Sequence, residues 1–421
     1  MEFEGIFAIL PSFGTTVVAV GCGIVAMYVV IIGGNFISPK VNSLIRRVVT
    51  KRFASAGVRI GQDIVIHDER AFWAWAKSGS LGFGETYMAK MWDTGSQPLE
   101  EIVAGLAQLP PETKRKMFKA WNWRIFDIYY RLFNMQSVSR ADIIAKKHYN
   151  LGNEFFSAWL DSNMQYSCGY WDGVADPDDI DAAQVNKMNL IARKLQLEPG
   201  MTVVDVGCGW GTLSCFLASN YGVKVTGVNI STEQVKFARE LVAQRGLANQ
   251  VTFILDDYRN LSGKFDRLVT VGFLEHVGLM NLPEFFDVAH RVLKPGGLAL
   301  VQSITNGKTV HVQADQFIHK YIFPNGYLPS PKLLVKYAES KFVVEDMQNF
   351  GVDYMRTLQV WHKRFKACVD KGIFDPEKQD ETFVRMWEFY LLYCTGAFKA
   401  RITHLYQVVY SKKRPEIYIA P

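Results

Sequence analysis

Apolar and polar positions change their pattern along the chain, and each pattern predicts a different kind of element. Gly5 to Pro39 carries no charged residue, and the run from Thr15 to Gly34 is about as long as one helical span of a bilayer core. Glu2 and Glu4 precede it, and Lys40, Arg46, Arg47, Lys51 and Arg52 follow it. This reads as a retained transmembrane helix over about 15–34. The positive-inside rule sets its N-terminus outside and the rest of the chain in the cytoplasm, as a single-pass membrane protein. A cleaved signal peptide lacks support, because a basic start and a small-x-small cleavage site are missing. A buried hairpin or an interfacial helix stays open as an alternative.

Between Phe53 and Ser139 the pattern predicts short strands at Val58–Ile60 and Ile64–Ile66 around the turn Gly61-Gln62-Asp63. A helix over 71–76 follows. Gly79 to Met88 then reads as a glycine-rich loop entering a helix. Pro98–Leu109 and Pro111–Asn134 are amphipathic, and the second carries Trp121, Trp123, Phe126, Tyr129, Tyr130 and Phe133. No nucleotide or metal motif occurs here. The region is either an ordinary aromatic-rich helical core or an apolar groove for acyl chains or a membrane face.

From Ala182 onward helical and strand-like periods alternate. Ala182–Leu197 has helical spacing and ends at Pro199-Gly200. Strands are predicted at Thr202–Val206, Lys224–Asn229, Val251–Leu255, Arg267–Val271 and Leu298–Ser303, with helices near Leu213–Ser219, Thr232–Gln244 and Pro283–Val292. That alternation predicts a doubly wound α/β sheet, whose ligands sit beyond the carboxyl ends of the strands. Those ends carry Gly207, Asn229, Asp256-Asp257-Tyr258 and Gly272 to Gly278, so one pocket collects them.

The first strand end carries the strongest local signal. Val203 to Gly211 reads V-V-D-V-G-C-G-W-G, a β-branched run followed by alternating glycines and then a helix. Such a loop brings backbone N–H groups close to a ligand at a helix N-terminus. Its G-x-G-x-G spacing differs from the G-x-G-x-x-G of dinucleotide binders. The D-x-G-x-G form is the one that S-adenosylmethionine (SAM)-dependent methyltransferases show. Asp205, Gly207, Cys208 and Gly209 are therefore cofactor-binding candidates. No acid stands at the end of the second strand, where one would hold ribose hydroxyls; Asn229, Ser231 and Gln234 offer neutral hydrogen bonds instead. Asp257 and Tyr258 lie where adenine is expected, with a solvated loop as the plain alternative. Glu275-His276 sets a carboxylate beside an imidazole after the fourth strand, a pair suited to acid–base work or to holding an ion.

Composition narrows the partners. With 421 residues, 49% hydrophobic and 21% charged, the chain is globular and long enough for two domains. A net charge of +6 gives only weak attraction to anionic surfaces. No dense Lys/Arg patch interleaved with aromatics points to nucleic acid. The six cysteines, at 22, 168, 208, 215, 368 and 394, are scattered with no C-x-x-C. That argues against zinc and a disulfide framework, so no metal is expected and a reducing compartment fits.

Motifs outside the glycine loop then carry a resemblance. GSLGFGETYM (Gly79–Met88), HYNLGNEFF (His148–Phe156), MQYSCGYW (Met164–Trp171), VVDVGCGWGTL (Val203–Leu213), VGFLEHVG (Val271–Gly278), HKYIFPNGYLPS (His319–Ser330), NFGVDY (Asn349–Tyr354) and YLLYCTGAFKAR (Tyr390–Arg401) together resemble cyclopropane-fatty-acyl-phospholipid synthases and their mycolic-acid relatives. The resemblance spans about Phe53 to Ser411. It implies that SAM methylates a carbon of a cis double bond in an unsaturated phospholipid acyl chain. The resulting carbocation loses a proton from the new methyl, and a ring closes. The base would be a bound bicarbonate, held by the backbone at Cys168 and Ile304, by Glu275 and by Tyr354, with Gly272 at its border. Tyr166, Ser167, Gly207, Gly209, Gln234 and Tyr258 resemble the family's contacts to SAM. Cys394 sits in a family motif and stands as a catalytic candidate, although the chemistry calls for no thiol nucleophile. A homodimer through the N-terminal region is also implied, and the hydrophobic anchor is not part of the usual bacterial pattern.

Gln302 departs from the resemblance, in Val301-Gln302-Ser303-Ile304 where the family has a histidine. An amide can bond an anion but cannot share a proton as imidazole can. A methylated or methylene chain is therefore an alternative product. Asn229 replaces a usual threonine. Other readings are a sphingolipid methyltransferase, a small-amine N-methyltransferase, or a non-catalytic lipid-binding scaffold with a decayed fold. The expected architecture is α/β: a doubly wound, Rossmann-like SAM-dependent methyltransferase sheet over 141–421, a mainly helical lipid-binding domain over 40–140 and an N-terminal anchor over 1–39.

Overall fold

The computed structural model describes residues 39–110, 134, 151–307, 315–413 and 416–421. The chain divides into two units, 1–49 and 50–421. Helix α1 (Pro39–Ser55) opens the described chain. Within the larger unit, a two-stranded antiparallel sheet joins β1 (Ile64–Ile66) to β2 (Trp92–Thr94). The strand expected at Val58–Ile60 is absent, because the Asp63 carboxylate accepts the Arg59 N–H at 2.7 Å and curls 59–63 into a turn. Helix α2 (Arg70–Met88) contains the segment expected as a glycine-rich loop. The loop is reduced to a kink at Gly79 (φ 55°, ψ −127°), a conformation open only to glycine. Helix α3 (Leu99–Gln108) comes next.

The second half holds helices α4 (Asn153–Trp159) and α5 (Ile180–Lys194), then the sheet. Its strands are β3 (Thr202–Val206), β4 (Lys224–Asn229), β5 (Val251–Leu255), β6 (Phe265–Val271), β7 (Leu293–Asn306), β8 (Val343–Asn349) and β9 (Thr403–Ser411). They lie in the order β5-β4-β3-β6-β7-β9-β8. The first five are parallel, as expected; β9 runs antiparallel between β7 and β8. Val204 and Val206 enter the core on one face of the sheet, and Val203 enters the core on the other. That two-sided burial is why the strand is a continuous β-branched run.

Helices α6 (Thr212–Tyr221), α7 (Thr232–Gln244), α8 (Leu274–Val277), α9 (Leu282–Val292) and α10 (Pro331–Ala338) link or follow the strands. Helices α11 (Gly351–Asp370) and α12 (Glu381–Lys399) separate β8 from β9. The α2–β2 segment docks on α12: Arg385 donates to the Tyr87 carbonyl at 2.7 Å, and the Tyr87 hydroxyl donates to Glu388 at 3.0 Å.

The expected transmembrane helix finds no support among the described residues. Among the described residues no helix is long and apolar enough to cross a membrane. The longest ones are broken by charge, as at Arg356, Lys363 and Arg364 in α11 and at Arg385 and Glu388 in α12. The span 15–34 lies outside the described residues, as does all of the expected helix over Pro111–Asn134 except Asn134. The fold class is corrected to a mixed-sheet α/β fold with no transmembrane helix among the described residues, and the single-pass membrane placement is withdrawn with it.

Candidate active site

A cavity of about 160 Å³ opens at the carboxyl edge of β6 and β7. The Tyr166–Cys168 segment, α8, α11 and α12 supply its other walls. Strand β6 turns at Gly272 with φ 64°, and a Cβ there would meet nothing within 4 Å. The turn is therefore glycine because the backbone bends left-handed, and its open side faces the cavity. Ile318, Leu328, Leu358, Phe398 and Leu405 make most of the rest apolar.

Glu275 is the polar centre. Its carboxylate is buried, and Oε1 accepts the Ile304 N–H of β7 at 2.6 Å. Oε2 has no hydrogen-bond partner among the described residues. Burial raises the carboxyl to about 7, against the Ile304 N–H and the Ser303 hydroxyl, which favour the anion. A buried carboxyl poised near neutrality with one open oxygen can hold or exchange a proton. His276 beside it has a buried Nδ1 that also lacks a partner among the described residues, and burial lowers the imidazole to about 4, so the ring is neutral.

Gln302 also lines the cavity. It stands opposite Gln407 in the β7–β9 register, and Gln407 Nε2 donates to its Oε1 at 2.8 Å. With that oxygen taken, the NH2 group is what Gln302 has left to offer a ligand. Tyr354 reaches the cavity from the first turn of α11. The Tyr166 and Tyr390 hydroxyls lie 2.8 Å apart, and the Tyr393 hydroxyl donates to Asp315 at 2.7 Å. Burial raises Tyr354, Tyr390 and Tyr393 well above the usual phenol range, and it raises the Cys168 and Cys394 thiols as well. Neutral thiols are poor nucleophiles, so neither cysteine is set up for covalent catalysis.

The second group of predicted residues lies at the ends of β3, β4 and β5. The Gly207 N–H donates to the Val228 carbonyl at 2.9 Å, which ties the loop to β4. A Cβ at Gly207 would strike the Phe273 ring at 2.5 Å, whereas one at Gly209 (φ 54°) would meet nothing within 4 Å. Gly209 is thus an open cradle of backbone, of the kind a close-lying ligand needs. Asn229 Nδ2 donates to Gln234 Oε1 at 2.9 Å and to the Gly209 carbonyl at 3.3 Å. Ser231 caps α7 through the Gln234 N–H. Asp205 is buried beneath the loop, where its carboxylate accepts the Ser214 hydroxyl at 2.7 Å. The Asp257 carboxylate is engaged by Arg259 at 2.8 Å, and the Arg259 guanidinium lies over the ring of buried Tyr258.

The mycolic acid cyclopropane synthetase family matches residues 136–408 of this chain. The chain belongs to that family. It is 44% identical over 377 residues to the cyclopropane-fatty-acyl-phospholipid synthase of Escherichia coli (strain K12), over 87% of this chain and 93% of that protein. It is 32% identical over 351 residues to the tuberculostearic acid methyltransferase UfaA1 of Mycobacterium tuberculosis (strain ATCC 25618 / H37Rv), over 80% of each. The solved mycolic acid cyclopropane synthase CmaA1, complexed with SAH and CTAB, superposes with a TM-score of 0.59 at 29% identity. The match covers 65% of this chain and 98% of that one.

The chain is accordingly a SAM-dependent methyltransferase similar to the cyclopropane-fatty-acyl-phospholipid synthases. Within this family member, Cys168, Gly272, Glu275, Gln302, Ile304, Tyr354 and Cys394 share one cavity, together with Tyr166 and Ser167. Asp205, Gly207, Cys208, Gly209, Asn229, Ser231, Gln234, Asp257 and Tyr258 do not line it. The Ile304 N–H is committed to Glu275. The motifs did not point to Asp315, Tyr393 or Gln407. Asp315 stands four residues before the motif His319–Ser330, Tyr393 lies inside the motif Tyr390–Arg401 beside Cys394 but was given no role of its own, and Gln407 gains meaning only from the β7–β9 register.

Proposed function

We propose that this enzyme transfers a one-carbon unit from SAM to the cis double bond of an unsaturated phospholipid acyl chain and forms a cyclopropane ring. The observation that supports this most is Glu275: a buried carboxylate with one oxygen unpartnered among the described residues, set in an apolar cavity beside Gln302 and Tyr354. The glycine loop, Asn229, Ser231, Gln234, Asp257 and Tyr258 would hold SAM, with Tyr166 and Ser167 at the boundary with the acyl cavity. The open backbone at Gly209 fits such a ligand. Bound SAM supplies the methyl group. Apolar walls exclude water from the cation that forms on the acyl chain, and the faces of Tyr166, Phe323 and Tyr390 can stabilise it. The unpartnered Glu275 Oε2, the Gln302 amide and the Tyr354 hydroxyl fit a small oxyanion, and a bicarbonate held there would supply a base. Loss of one proton from the new methyl, with closure of the ring, leaves the acyl chain heavier by CH2.

One observation favours a second reading. The Gln302 amide, bonded to Gln407, can take up no proton. If the methyl proton is not removed in step with ring closure, a proton lost from a neighbouring chain carbon gives a methyl-branched alkene, whereas a hydride shift onto the cation followed by loss of a proton from the methyl gives a methylene branch. Each product also adds CH2. The test is expression in a host that makes unsaturated phospholipids but no cyclopropanes, followed by NMR of the extracted acyl chains. Ring protons support the first reading and vinylic protons at a branch the second. No modified chain, with SAM bound, would indicate a scaffold and overturn both.

A further inference from the structure

Lys187 is almost wholly buried on α5. Its Nζ donates to Gln165 Oε1 at 2.6 Å and to the Ser167 hydroxyl at 3.0 Å. The Gln165 amide continues from there, donating through Nε2 to Thr212 Oγ1 at 2.6 Å. Thr212 is the first residue of α6, directly after Gly211 of the glycine loop. One turn earlier on α5, Gln184 Nε2 donates to the Ser167 carbonyl at 2.7 Å. Asp161 fixes the start of the same segment by accepting the Gln165 N–H at 2.8 Å.

A buried ammonium is costly unless its hydrogen bonds do something that a methionine of similar length could not. Here both bonds go to neutral oxygens of one short segment. The titratable groups facing the ammonium are Asp161 in the preceding turn, Asp205 of β3 and the Cys168 thiol. Ser167 and its neighbours Tyr166 and Cys168 line the cavity, while Thr212 begins the helix behind the glycine loop.

We propose that Lys187 is a positioning residue that locks the Gln165–Cys168 segment to the glycine loop through Gln165, so that the methyl-donor side and the acyl cavity are held as one unit. This rests on the reading of the glycine loop and Ser167 as the SAM site.

The test uses the full chain with SAM and vesicles of unsaturated phospholipid. Lys187→Met removes the ammonium; Thr212→Val cuts the far end of the chain and leaves the ammonium in place. Each is expected to raise KM for SAM about fivefold or more, the effect of one lost charged or buried hydrogen bond, with a smaller fall in kcat at saturating SAM. The double variant is expected to be no worse than the weaker single one, because both cut one path. A merely structural lysine would lower the unfolding temperature and the active fraction while leaving KM for SAM unchanged, and that result overturns the proposal. Full additivity in the double variant overturns it too. If Lys187→Met does not fold, an unchanged KM in Thr212→Val alone suffices to reject it. Calorimetric titration of the wild type with SAM separates the two failures. Absence of SAM binding defeats the reading of the site, whereas wild-type binding equalled by Lys187→Met defeats only the role of the lysine.

Discussion

Gln407 Nε2 donates to Gln302 Oε1 across the β7–β9 pair at 2.8 Å, and both side chains are buried. This bond settles which end of the Gln302 amide remains for the cavity. At a position where the resemblance implies a proton-sharing histidine, the amide can hydrogen-bond an anion through its NH2 but cannot take up a proton. The expected consequence is slow removal of the methyl proton. Gln302→His should raise the ring-to-branch ratio of the products and the rate of ring formation, by about tenfold or more if imidazole acts in proton removal. NMR of extracted acyl chains reads the ratio. A wild type that makes only cyclopropane at normal turnover, with no gain in Gln302→His, would show that the amide is no handicap.

Glu275 carries the pH dependence. Its carboxyl is raised by burial from 4.5 to about 7, so in the folded enzyme it is ionised only above that point. If the anion is the active form, kcat rises as pH increases through about 7, and Glu275→Gln removes that limb along with roughly 100-fold or more of the rate. Stability moves the opposite way. The folded value lies above the unfolded one, so the contribution is fully present below 4.5 and is lost as pH rises through about 7. Glu275→Gln should therefore gain in melting temperature relative to the wild type between pH 5 and pH 8. A flat kcat profile across neutrality in the wild type would count against the assignment.

Much of the donor side was legible in the chain because it is local. Val203–Val206 is buried on both faces and so reads as a β-branched run, and Gly207 to Gly211 follows without interruption. The antiparallel end of the sheet was not legible. Val343–Asn349 is only half-buried and carries Glu345, Asp346 and Gln348, and its partner Thr403–Ser411 lies beyond two long helices. Gln302 was visible as a departure, but its fixed orientation depends on Gln407, which a register brings near from 105 residues away. Lys187 falls within the helix expected over 182–197, and the helical spacing gave it no distinct role. It is buried only because the 161–168 segment lies across it, a tertiary fact that no helical period reports. The aromatic α2–β2 segment read as core or groove; its described part is core, packed on α12.

Gly209 and Gly207 separate binding from folding. Both are left-handed, but a methyl at Gly209 points into open space and one at Gly207 meets the Phe273 ring. Gly209→Ala should cost about 1 kcal/mol of stability through backbone strain alone. It should weaken SAM binding about tenfold or more, because the methyl occupies the ligand's approach to the backbone. Gly207→Ala should instead lower the melting temperature more than Gly209→Ala does. Calorimetric SAM affinity and thermal unfolding, measured on both variants, check the ordering. Equal losses of affinity and stability in the two would mean that the Gly209 cradle faces no ligand.

Trp92 ties the N-terminal segment to the helix that carries Tyr390, Tyr393 and Cys394. Its ring is fully buried, stacked on Phe83 at 4.3 Å and edge-on to Trp75 at 5.7 Å, and its N–H donates to Thr86 Oγ1 at 3.0 Å. Its carbonyl accepts from Arg385 of α12 at 3.3 Å. Trp92→Ala removes a large buried ring packed against Trp75, Phe83 and Tyr87 of α2, so a loss of about 3–5 kcal/mol is expected. Trp92→Phe keeps most of the stacking and loses one buried hydrogen bond, for about 1–2 kcal/mol. Urea unfolding measures both. Because β2 and α2 brace α12, activity in Trp92→Ala should fall at a lower urea concentration than the bulk unfolding signal. Coincident loss of activity and structure would show that this cluster stabilises the molecule as a whole without holding the cavity wall.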